Sequence, residues 1–205
     1  MDAPAKAGRY RNPTVGQQPQ SCEYTSVVTP VLETSRLLLR EIVEEDAHDV
    51  YLLNSSPNVM RYLGSERVLT SLEEALALVR RRIFPQYQNY GVGRWAVILK
   101  NNGPFIGWCG LKYDPAASEY DLGYRFIEDY WGKGYATEAA RGVLEYCRQH
   151  LSGKRIVGKA LIENVASIRV LEKIGMKFER LEEDSDGTVA VYSLNIEHRE
   201  LKIEL

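Results

Sequence analysis

The chain has 205 residues, a formal net charge of −2 and 44% apolar residues. A chain of this size suits one domain with a sizeable core, and the composition is typical of a globular protein. A charge so close to zero gives no reason to expect nucleic acid or an anionic membrane as a partner. No apolar run approaches the ~20 residues of a membrane helix, and the N-terminus lacks the apolar core of a signal peptide. The sequence therefore predicts a soluble, cytoplasmic protein.

The cysteines and histidines show no spacing typical of a metal site or a catalytic triad. Cys109 and Cys147 fall within predicted elements, and Cys22 lies far from both. Reduced thiols are the simplest interpretation, since disulfides are rare in the cytosol. The three histidines are scattered and have no serine or cysteine motif beside them. We therefore expect no metal ion.

Residues 1–28 differ in composition from the rest of the chain. They are rich in proline, glycine and glutamine and show almost no apolar pattern. Such a segment buries too little apolar surface to fold by itself, which predicts a flexible N-terminal arm. Residues 29–205 are predicted to form a single domain.

Hydrophobic periodicity and turn residues place seven strands and four helices in that domain. The predicted strands are 36–42, 95–99, 105–113, 119–127, 155–161, 177–182 and 189–196. The predicted helices are 44–53, 70 or 71 to the late 80s, a long helix after a glycine turn, and 164–174. A strand–helix–strand connection among antiparallel neighbours gives a mixed sheet with a right-handed crossover. The fold class is therefore α/β (α+β mixed), with about seven strands and about four helices.

Two local signals make this prediction more specific. Asp186-Gly187 is a strong two-residue turn signal between the last two strands. The second helix is expected to bury one apolar face, formed by Leu72, Ala75, Leu76, Val79 and Ile83.

A glycine turn, Trp131-Gly132-Lys133-Gly134, connects the fourth strand to the long helix. Residues recurring every three or four positions give that helix an apolar stripe: Ala136, Ala139, Ala140, Val143, Leu144 and Cys147. Because glycine has no Cβ, backbone N–H groups at Gly132 and Gly134 can approach a ligand closely, and a helix N-terminus favours an anion. We interpret the turn as a cradle for a pyrophosphate.

Two common phosphate-binding motifs do not fit this turn. A Walker loop requires serine or threonine after its lysine, but Lys133 is followed by Gly134. A dinucleotide fingerprint requires a third glycine, where Thr137 stands, and an acidic residue ~20 positions later, where Lys154 stands. Two glycines in a turn are a weak signal alone, so the assignment needs a second motif.

That second motif is Asn164-Val165-Ala166-Ser167-Ile168-Arg169-Val170-Leu171-Glu172-Lys173-Ile174-Gly175. With the glycine turn, it resembles the GNAT superfamily of acyl-CoA-dependent N-acyltransferases, and the resemblance covers roughly residues 31–196. Gly134 and Ala136 match the last two positions of that family's Arg/Gln-x-x-Gly-x-Gly/Ala motif. The most similar branch contains the ribosomal-protein N-terminal acetyltransferases (RimJ/RimL-like), whose openings look like Thr34-Ser35-Arg36-Leu37-Leu38-Leu39-Arg40.

The resemblance implies a sheet splayed between the fourth and fifth strands, at residues 122–126 and 156–161. It also implies acetyl-CoA as cosubstrate. The residues that it places at the cofactor are Gly132, Lys133, Gly134, Tyr135, Ala136, Thr137, Asn164, Leu122 and Tyr124. An unpaired backbone N–H at the splay would polarise the thioester carbonyl.

Two positions depart from the family pattern. Trp131 stands at the Arg/Gln position of the first motif. The tyrosine that many members use to protonate the departing thiol falls at Leu171, which has no proton to give. Ser167 lies one helical turn earlier and is the candidate donor, as proposed for the ribosomal-type branch; a capping or packing serine is the alternative.

The acceptor amine decides whether a general base is needed. An α-amine with a pKa of ~7.7–8.0 is partly neutral at pH 7, whereas a lysine or polyamine nitrogen at ~10.4 is almost entirely charged. Glu119 and Asp121 alternate onto one face of the same strand and are the candidate bases, with solvated strand residues as the alternative. A further hypothesis is that acidic residues near the last hairpin attract a cationic amine: Glu182, Glu183, Asp184 and Asp186.

The sequence thus predicts an acetyl-CoA-dependent N-acetyltransferase, monomeric or homodimeric, that acts on a protein or peptide N-terminal amine. One alternative keeps the chemistry but uses a small-molecule amine, such as a polyamine, amino acid or aminoglycoside. A second alternative is a non-catalytic acyl-CoA-binding module. Neither nucleic acid nor membrane is an expected partner.

Overall fold

The computed structural model describes residues 29–63, 68–151 and 153–197. The predicted N-terminal arm, residues 1–28, lies outside the described residues. The strands are β1 (Pro30–Glu33), β2 (Leu37–Arg40), β3 (Arg94–Leu99), β4 (Phe105–Asp114), β5 (Glu119–Phe126), β6 (Arg155–Leu161), β7 (Lys177–Asp184) and β8 (Gly187–Asn195). The α-helices are α1 (Ala47–Ser55), α2 (Pro57–Met60), α3 (Leu72–Leu78), α4 (Phe84–Tyr90), α5 (Tyr135–His150) and α6 (Val165–Lys173).

The strands form one mixed sheet in the order β1-β2-β3-β4-β5-β6-β8-β7. Every neighbouring pair is antiparallel except β5 and β6, which are parallel and joined through α5. The predicted mixed, mostly antiparallel α/β sheet is therefore confirmed. Over the described residues the sheet has eight strands, because β1, which the sequence analysis missed, pairs with β2.

Helices cover both faces of the sheet and define two apolar cores. On one face, α5 and α6 pack on the strands through residues such as Val143, Leu144 and Leu171. On the other, residues such as Val50 of α1 and Val79 form a second core. Five of the six residues in the predicted α5 stripe are fully buried, namely Ala139, Ala140, Val143, Leu144 and Cys147.

The predicted second helix is interrupted rather than continuous. Ser71 caps α3 by accepting a hydrogen bond from the Glu74 N–H, but residues Val79–Ile83 form a π-helical turn before α4. Pro85 follows in the first turn of α4. Proline lacks an N–H and clashes with a carbonyl four residues back, so a wider turn accommodates it. Leu72, predicted to be on the buried face, is 42% exposed.

The predicted splay lies between β5 and β6. β5 pairs with β4 along its whole length, but with β6 at Tyr120–Ile156 and Asp121–Val157. Among the described strands, the Leu122–Phe126 segment therefore has a ladder partner on its β4 side alone. The resulting gap between β5 and β6, which we call the seam, leaves this edge of β5 without ladder hydrogen bonds to β6.

Two smaller features complete the fold. Asp184 pairs with Gly187, so the two central turn residues are Ser185 and Asp186, one position earlier than predicted. The correction follows from this pair, which makes Gly187 the first residue of β8. Within the described residues, no helix is both long and apolar enough to span a bilayer.

Candidate active site

The glycine turn has the backbone conformation that its two glycines permit. Gly132 has φ +73° and Gly134 has φ +81°, values that a residue with a Cβ adopts at a steric cost. A Cβ built at Gly132 would meet no atom within 4 Å, and one at Gly134 would lie 3.6 Å from Arg36 Nη2. The space above the turn is therefore open to a ligand.

Helix α5 begins directly after this turn. Gly134 is its N-cap and provides no side-chain cap, so the first N–H groups of the helix are not satisfied by a capping side chain. The first turn includes Tyr135, Ala136 and Thr137. Unsatisfied N–H groups and the positive end of the helix dipole suit a diphosphate, so the turn fits the group that the sequence predicts there.

An indole anchors the turn to the end of β5. Trp131, the residue that departs from the family motif, donates a hydrogen bond from Nε1 to the Phe126 carbonyl at 2.7 Å. Lys133 Nζ lies 5.4 Å from the centroid of the Tyr130 ring. Trp131 therefore has a structural role that its place in the motif did not reveal.

A carboxylate in the first turn of α5 ties the turn to the β1–β2 connection. Glu138 accepts hydrogen bonds from Thr34 Oγ1 at 2.6 Å, Ser35 Oγ at 3.0 Å, and Arg36 N at 2.9 Å and Nε at 2.6 Å. Burial would raise the pKa of Glu138, but these hydrogen bonds outweigh burial and lower that pKa to about 2. Sequence reasoning noted the opening Thr34-Ser35-Arg36 but missed this contact.

Two hydroxyl groups meet across the seam. Tyr124 Oη lies 2.9 Å from Ser167 Oγ and donates to the Ser167 carbonyl at 2.9 Å. Burial raises the pKa of Tyr124, so its hydroxyl keeps its proton at neutral pH. The structure thus brings together a predicted cofactor residue and the predicted proton donor.

The remaining predicted residues of the seam are largely engaged. Leu122 is 2% exposed, and its side chain belongs to the apolar core. Asn164 is the N-cap of α6, and its Oδ1 accepts from the Ser167 N–H at 3.1 Å. Leu171 is buried against Gly158, where a Cβ would lie 2.6 Å from Leu171 Cδ2. The position of the family's tyrosine is thus an apolar packing position.

Both predicted bases lie in ion pairs. Asp121 Oδ2 is 2.6 Å from Arg94 Nη2, and Arg94 Nη1 also donates to the Asp121 carbonyl at 2.8 Å. Glu119 pairs with Arg155. Asp121 lies at the last β5–β6 pair beside the seam, whereas Glu119 is the first residue of β5 and lies two residues further from the seam. The structure therefore does not bring Glu119 to the seam.

The acidic residues near the last hairpin are also largely engaged. Glu182 accepts hydrogen bonds from Arg180 and from Lys159 Nζ, the latter at 3.4 Å. The Arg180 hydrogen bond in particular lowers the pKa of Glu182. Glu183 accepts from Thr188 Oγ1 at 3.0 Å. No group of three His, Cys, Asp or Glu side chains placed to hold a metal occurs within residues 29–63, 68–151 and 153–197.

The geometry agrees with comparisons to known proteins. The family model for the acetyltransferase (GNAT) domain matches residues 36–177, which is more than half of the chain. The chain belongs to the GNAT acetyltransferase family. It is 35% identical over 148 residues to the uncharacterized N-acetyltransferase YnaD of Bacillus subtilis (strain 168), covering 72% of this chain and 83% of YnaD. The predicted N-acetyltransferase class is confirmed.

Two solved GNAT structures show the same fold at low sequence identity. RimL, the ribosomal L7/L12 α-N-protein acetyltransferase, in complex with coenzyme A has a TM-score of 0.72 at 19% identity, covering 83% of this chain and 100% of RimL. Spermidine N-acetyltransferase from Vibrio cholerae, in complex with CoA and spermine, has a TM-score of 0.67 at 20% identity, covering 80% of this chain and 97% of that enzyme. GNAT neighbours thus bind CoA, and their acceptors differ.

Proposed function

We propose that this GNAT acetyltransferase transfers the acetyl group of acetyl-CoA to the α-amine of a protein or peptide N-terminus by direct attack on the thioester. The observation that carries the proposal is the pairing of both candidate bases, Asp121 with Arg94 and Glu119 with Arg155. Arginine donors already bind these carboxylates, which leaves them poorly placed to take a proton from an incoming amine. The acceptor must therefore arrive neutral.

The ordinary pKa values of amines then favour an α-amine. At a pKa of ~7.7–8.0, between about a tenth and a sixth of an α-amine is neutral at pH 7. A lysine or polyamine nitrogen at ~10.4 is neutral about once in 2,500 molecules, a handicap of roughly 4.6 kcal/mol without a base. Near the last hairpin, Arg180 and Lys159 compensate the charge of Glu182, which weakens its attraction for a polycation.

Backbone groups bind the donor in this proposal. The N–H groups of the glycine turn and the start of α5, Gly132 to Thr137, bind the diphosphate, and the Lys133 ammonium adds a positive charge. The Leu122–Phe126 edge of β5, which includes Tyr124, polarises the thioester carbonyl through a backbone N–H. Asn164 binds the pantetheine arm through Nδ2, because its Oδ1 caps α6.

In this proposal, Ser167 protonates the departing thiolate of CoA. As the amine nitrogen forms its bond to the acyl carbon, the carbon–sulfur bond breaks and the nitrogen loses one proton while sulfur gains one. Ser167 Oγ relays that proton to the sulfur, and the Tyr124 hydroxyl holds the serine side chain toward the seam. A thiol with a pKa near 8.5 leaves readily, so modest assistance is sufficient.

Thiol release from acetyl-CoA across a panel of amines tests the proposal. The panel contains peptides of varied first residue with a free N-terminus, the same peptides with a blocked N-terminus and an internal lysine, spermidine, and an aminoglycoside. Turnover is expected with free N-termini and not with blocked ones. Faster turnover of spermidine or of lysine would overturn the acceptor assignment, and stabilisation by acetyl-CoA without thiol release on any amine would indicate a non-catalytic module.

Asp121→Asn provides the matched test of the base argument. Loss of a true general base lowers turnover about 10²–10⁴-fold. Under the proposal, Asp121→Asn keeps α-amine turnover within about threefold at pH 7, since a neutral α-amine requires no base. A hundredfold loss in a variant that remains folded would restore Asp121 as the base and remove the support for an α-amine.

A further inference from the structure

One ion pair connects two parts of the chain that flank the glycine turn. Glu138 lies in the first turn of α5, and Arg36 lies before β2, 102 residues earlier. The backbone N–H and Nε of Arg36, with the hydroxyls of Thr34 and Ser35, all donate to the Glu138 carboxylate. The Glu138 side chain is 16% exposed and that of Arg36 is 46% exposed, so the carboxylate is sheltered whereas the guanidinium stays partly in solvent.

The same guanidinium also contacts the turn itself. Arg36 Nη1 donates to the Lys133 carbonyl at 3.1 Å, and its Cζ lies 4.4 Å from the centroid of the Tyr135 ring. Gly134 lies between these two contacts. One side chain therefore fixes the residue before the N-cap of α5 and the residue after it.

The charge of Glu138 creates a specific problem for anion binding. An acidic side chain in the first turn of a helix interacts favourably with the positive helix end and so competes with a bound diphosphate. Here hydrogen-bond donors of residues Thr34 to Arg36 bind the Glu138 carboxylate, and the Arg36 guanidinium compensates its charge. The positive end of α5 is thereby left for a ligand.

We propose that Arg36 and Glu138 are positioning residues for the diphosphate: the pair fixes the glycine turn with its N–H groups facing outward and neutralises the carboxylate nearest to it. The proposal rests on the proposed role of the turn in binding acetyl-CoA. Neither residue touches the reacting atoms, so their effect falls on nucleotide affinity and not on the chemical step.

Arg36→Ala separates this role from general stabilisation when two donors are compared. Acetyl-CoA carries the diphosphate, whereas S-acetylpantetheine has the same thioester without it. Arg36→Ala is expected to raise the KM for acetyl-CoA about tenfold, with kcat within about twofold and the KM for S-acetylpantetheine unchanged. Arg36→Lys keeps the charge but not the forked donors and is expected to have an intermediate KM.

Arg80→Ala is the matched control, because Arg80 forms an exposed pair with Glu44 on the opposite face of the sheet. It should leave both KM values unchanged. The double variant Arg36→Ala/Glu138→Gln removes the uncompensated carboxylate and should recover part of the acetyl-CoA affinity lost in Arg36→Ala. A double variant no better than Arg36→Ala would show that Arg36 acts as a direct cation for phosphate, and would overturn the positioning role.

Calorimetric binding of CoA and of pantetheine distinguishes failure of this proposal from failure of the proposed function. If wild-type protein binds CoA no more tightly than pantetheine, the turn does not bind the diphosphate and the positioning role fails with it. If the wild-type protein binds CoA more tightly than pantetheine and Arg36→Ala shows the same preference, the positioning role alone fails. Both titrations need no acceptor, so an error in the acceptor assignment does not affect them. Thermal unfolding of each variant confirms that it is folded.

Discussion

The donor half of the site and the acceptor half are built in different ways. Around the glycine turn, the groups proposed to bind the ligand are main-chain amides, and the side chains of Arg36, Glu138 and Trp131 hold that main chain in place. On the acceptor side, the groups with suitable chemistry are carboxylates, and Asp121 and Glu119 are each held by an arginine. A backbone site is indicated by glycines in the sequence, whereas the availability of a carboxylate depends on a distant partner.

The largest expected effect tests the donor half. Gly134→Ile places a β-branched side chain in the turn at φ +81°, with its Cβ 3.6 Å from Arg36 Nη2. We expect CoA affinity to fall more than about 100-fold, because the side chain blocks the backbone and strains it. Calorimetric titration with CoA measures the loss.

Gly91→Ile is the control for strain alone. Gly91 has φ +64°, no atom lies within 4 Å of its Cβ position, and it ends α4 far from the turn in sequence. This variant should lose about 1–2 kcal/mol of unfolding free energy and keep its CoA affinity. Equal loss of affinity in both variants would mean that strain, rather than the blocked backbone, explains Gly134→Ile.

The next effect concerns the seam, where the two halves meet. Ser167→Ala is expected to lower kcat about tenfold and to leave CoA affinity unchanged, since the hydroxyl acts on the departing sulfur. Tyr124→Phe removes the hydroxyl 2.9 Å away. If the two hydroxyls act as a unit, the double variant should be little worse than Ser167→Ala. Normal turnover of Ser167→Ala would remove the serine from the mechanism.

The sequence was sufficient where the signal is local. Residues Ala139 to Cys147 recur at helical spacing, and they form the buried stripe of α5. Asn101 and Asn102 precede Gly103 in the hairpin between β3 and β4, and both have the positive φ values that asparagine tolerates in such turns. The glycine turn and the strand order β5-α5-β6 followed from the same kind of local reasoning, so most of the fold could be predicted.

The sequence was insufficient where one residue depends on another that is far along the chain. Nothing near Asp121 indicates Arg94, and nothing near Glu138 indicates that Thr34 lies 2.6 Å away across 104 residues. β1 was missed because four residues carry too short a pattern to identify a strand. Candidate site residues could be named from the sequence. Whether each carboxylate is free to react depends on its hydrogen-bond and ion-pair partners, which only the structure shows.

A smaller effect tests whether Glu138 is held as tightly as its contacts indicate. Its pKa is lowered to about 2 in the folded protein from an ordinary value near 4.5, so the stability it contributes is complete above about pH 4.5 and is lost as the pH falls toward 2. A shift of that size corresponds to about 3.4 kcal/mol. Because Arg36 is 46% exposed, solvent screening reduces this contribution, and we expect Glu138→Gln to lose about 2 kcal/mol of unfolding free energy at pH 7. Urea unfolding between pH 7 and pH 3 should show that difference shrinking toward acid. A constant difference would mean that the charge of Glu138 contributes nothing.

The smallest expected effect tests the acceptor half. If acidic residues of the last hairpin attract a cationic amine, Glu182→Gln/Glu183→Gln should raise the acceptor KM and weaken its salt dependence. Arg180 and Lys159 already compensate Glu182, and Thr188 engages Glu183. We therefore expect a change in KM below about twofold for a peptide acceptor, since screened, paired surface charges contribute little. A severalfold rise that disappears at high salt would show that pairing does not neutralise this surface, and would favour a polycationic acceptor over a peptide α-amine.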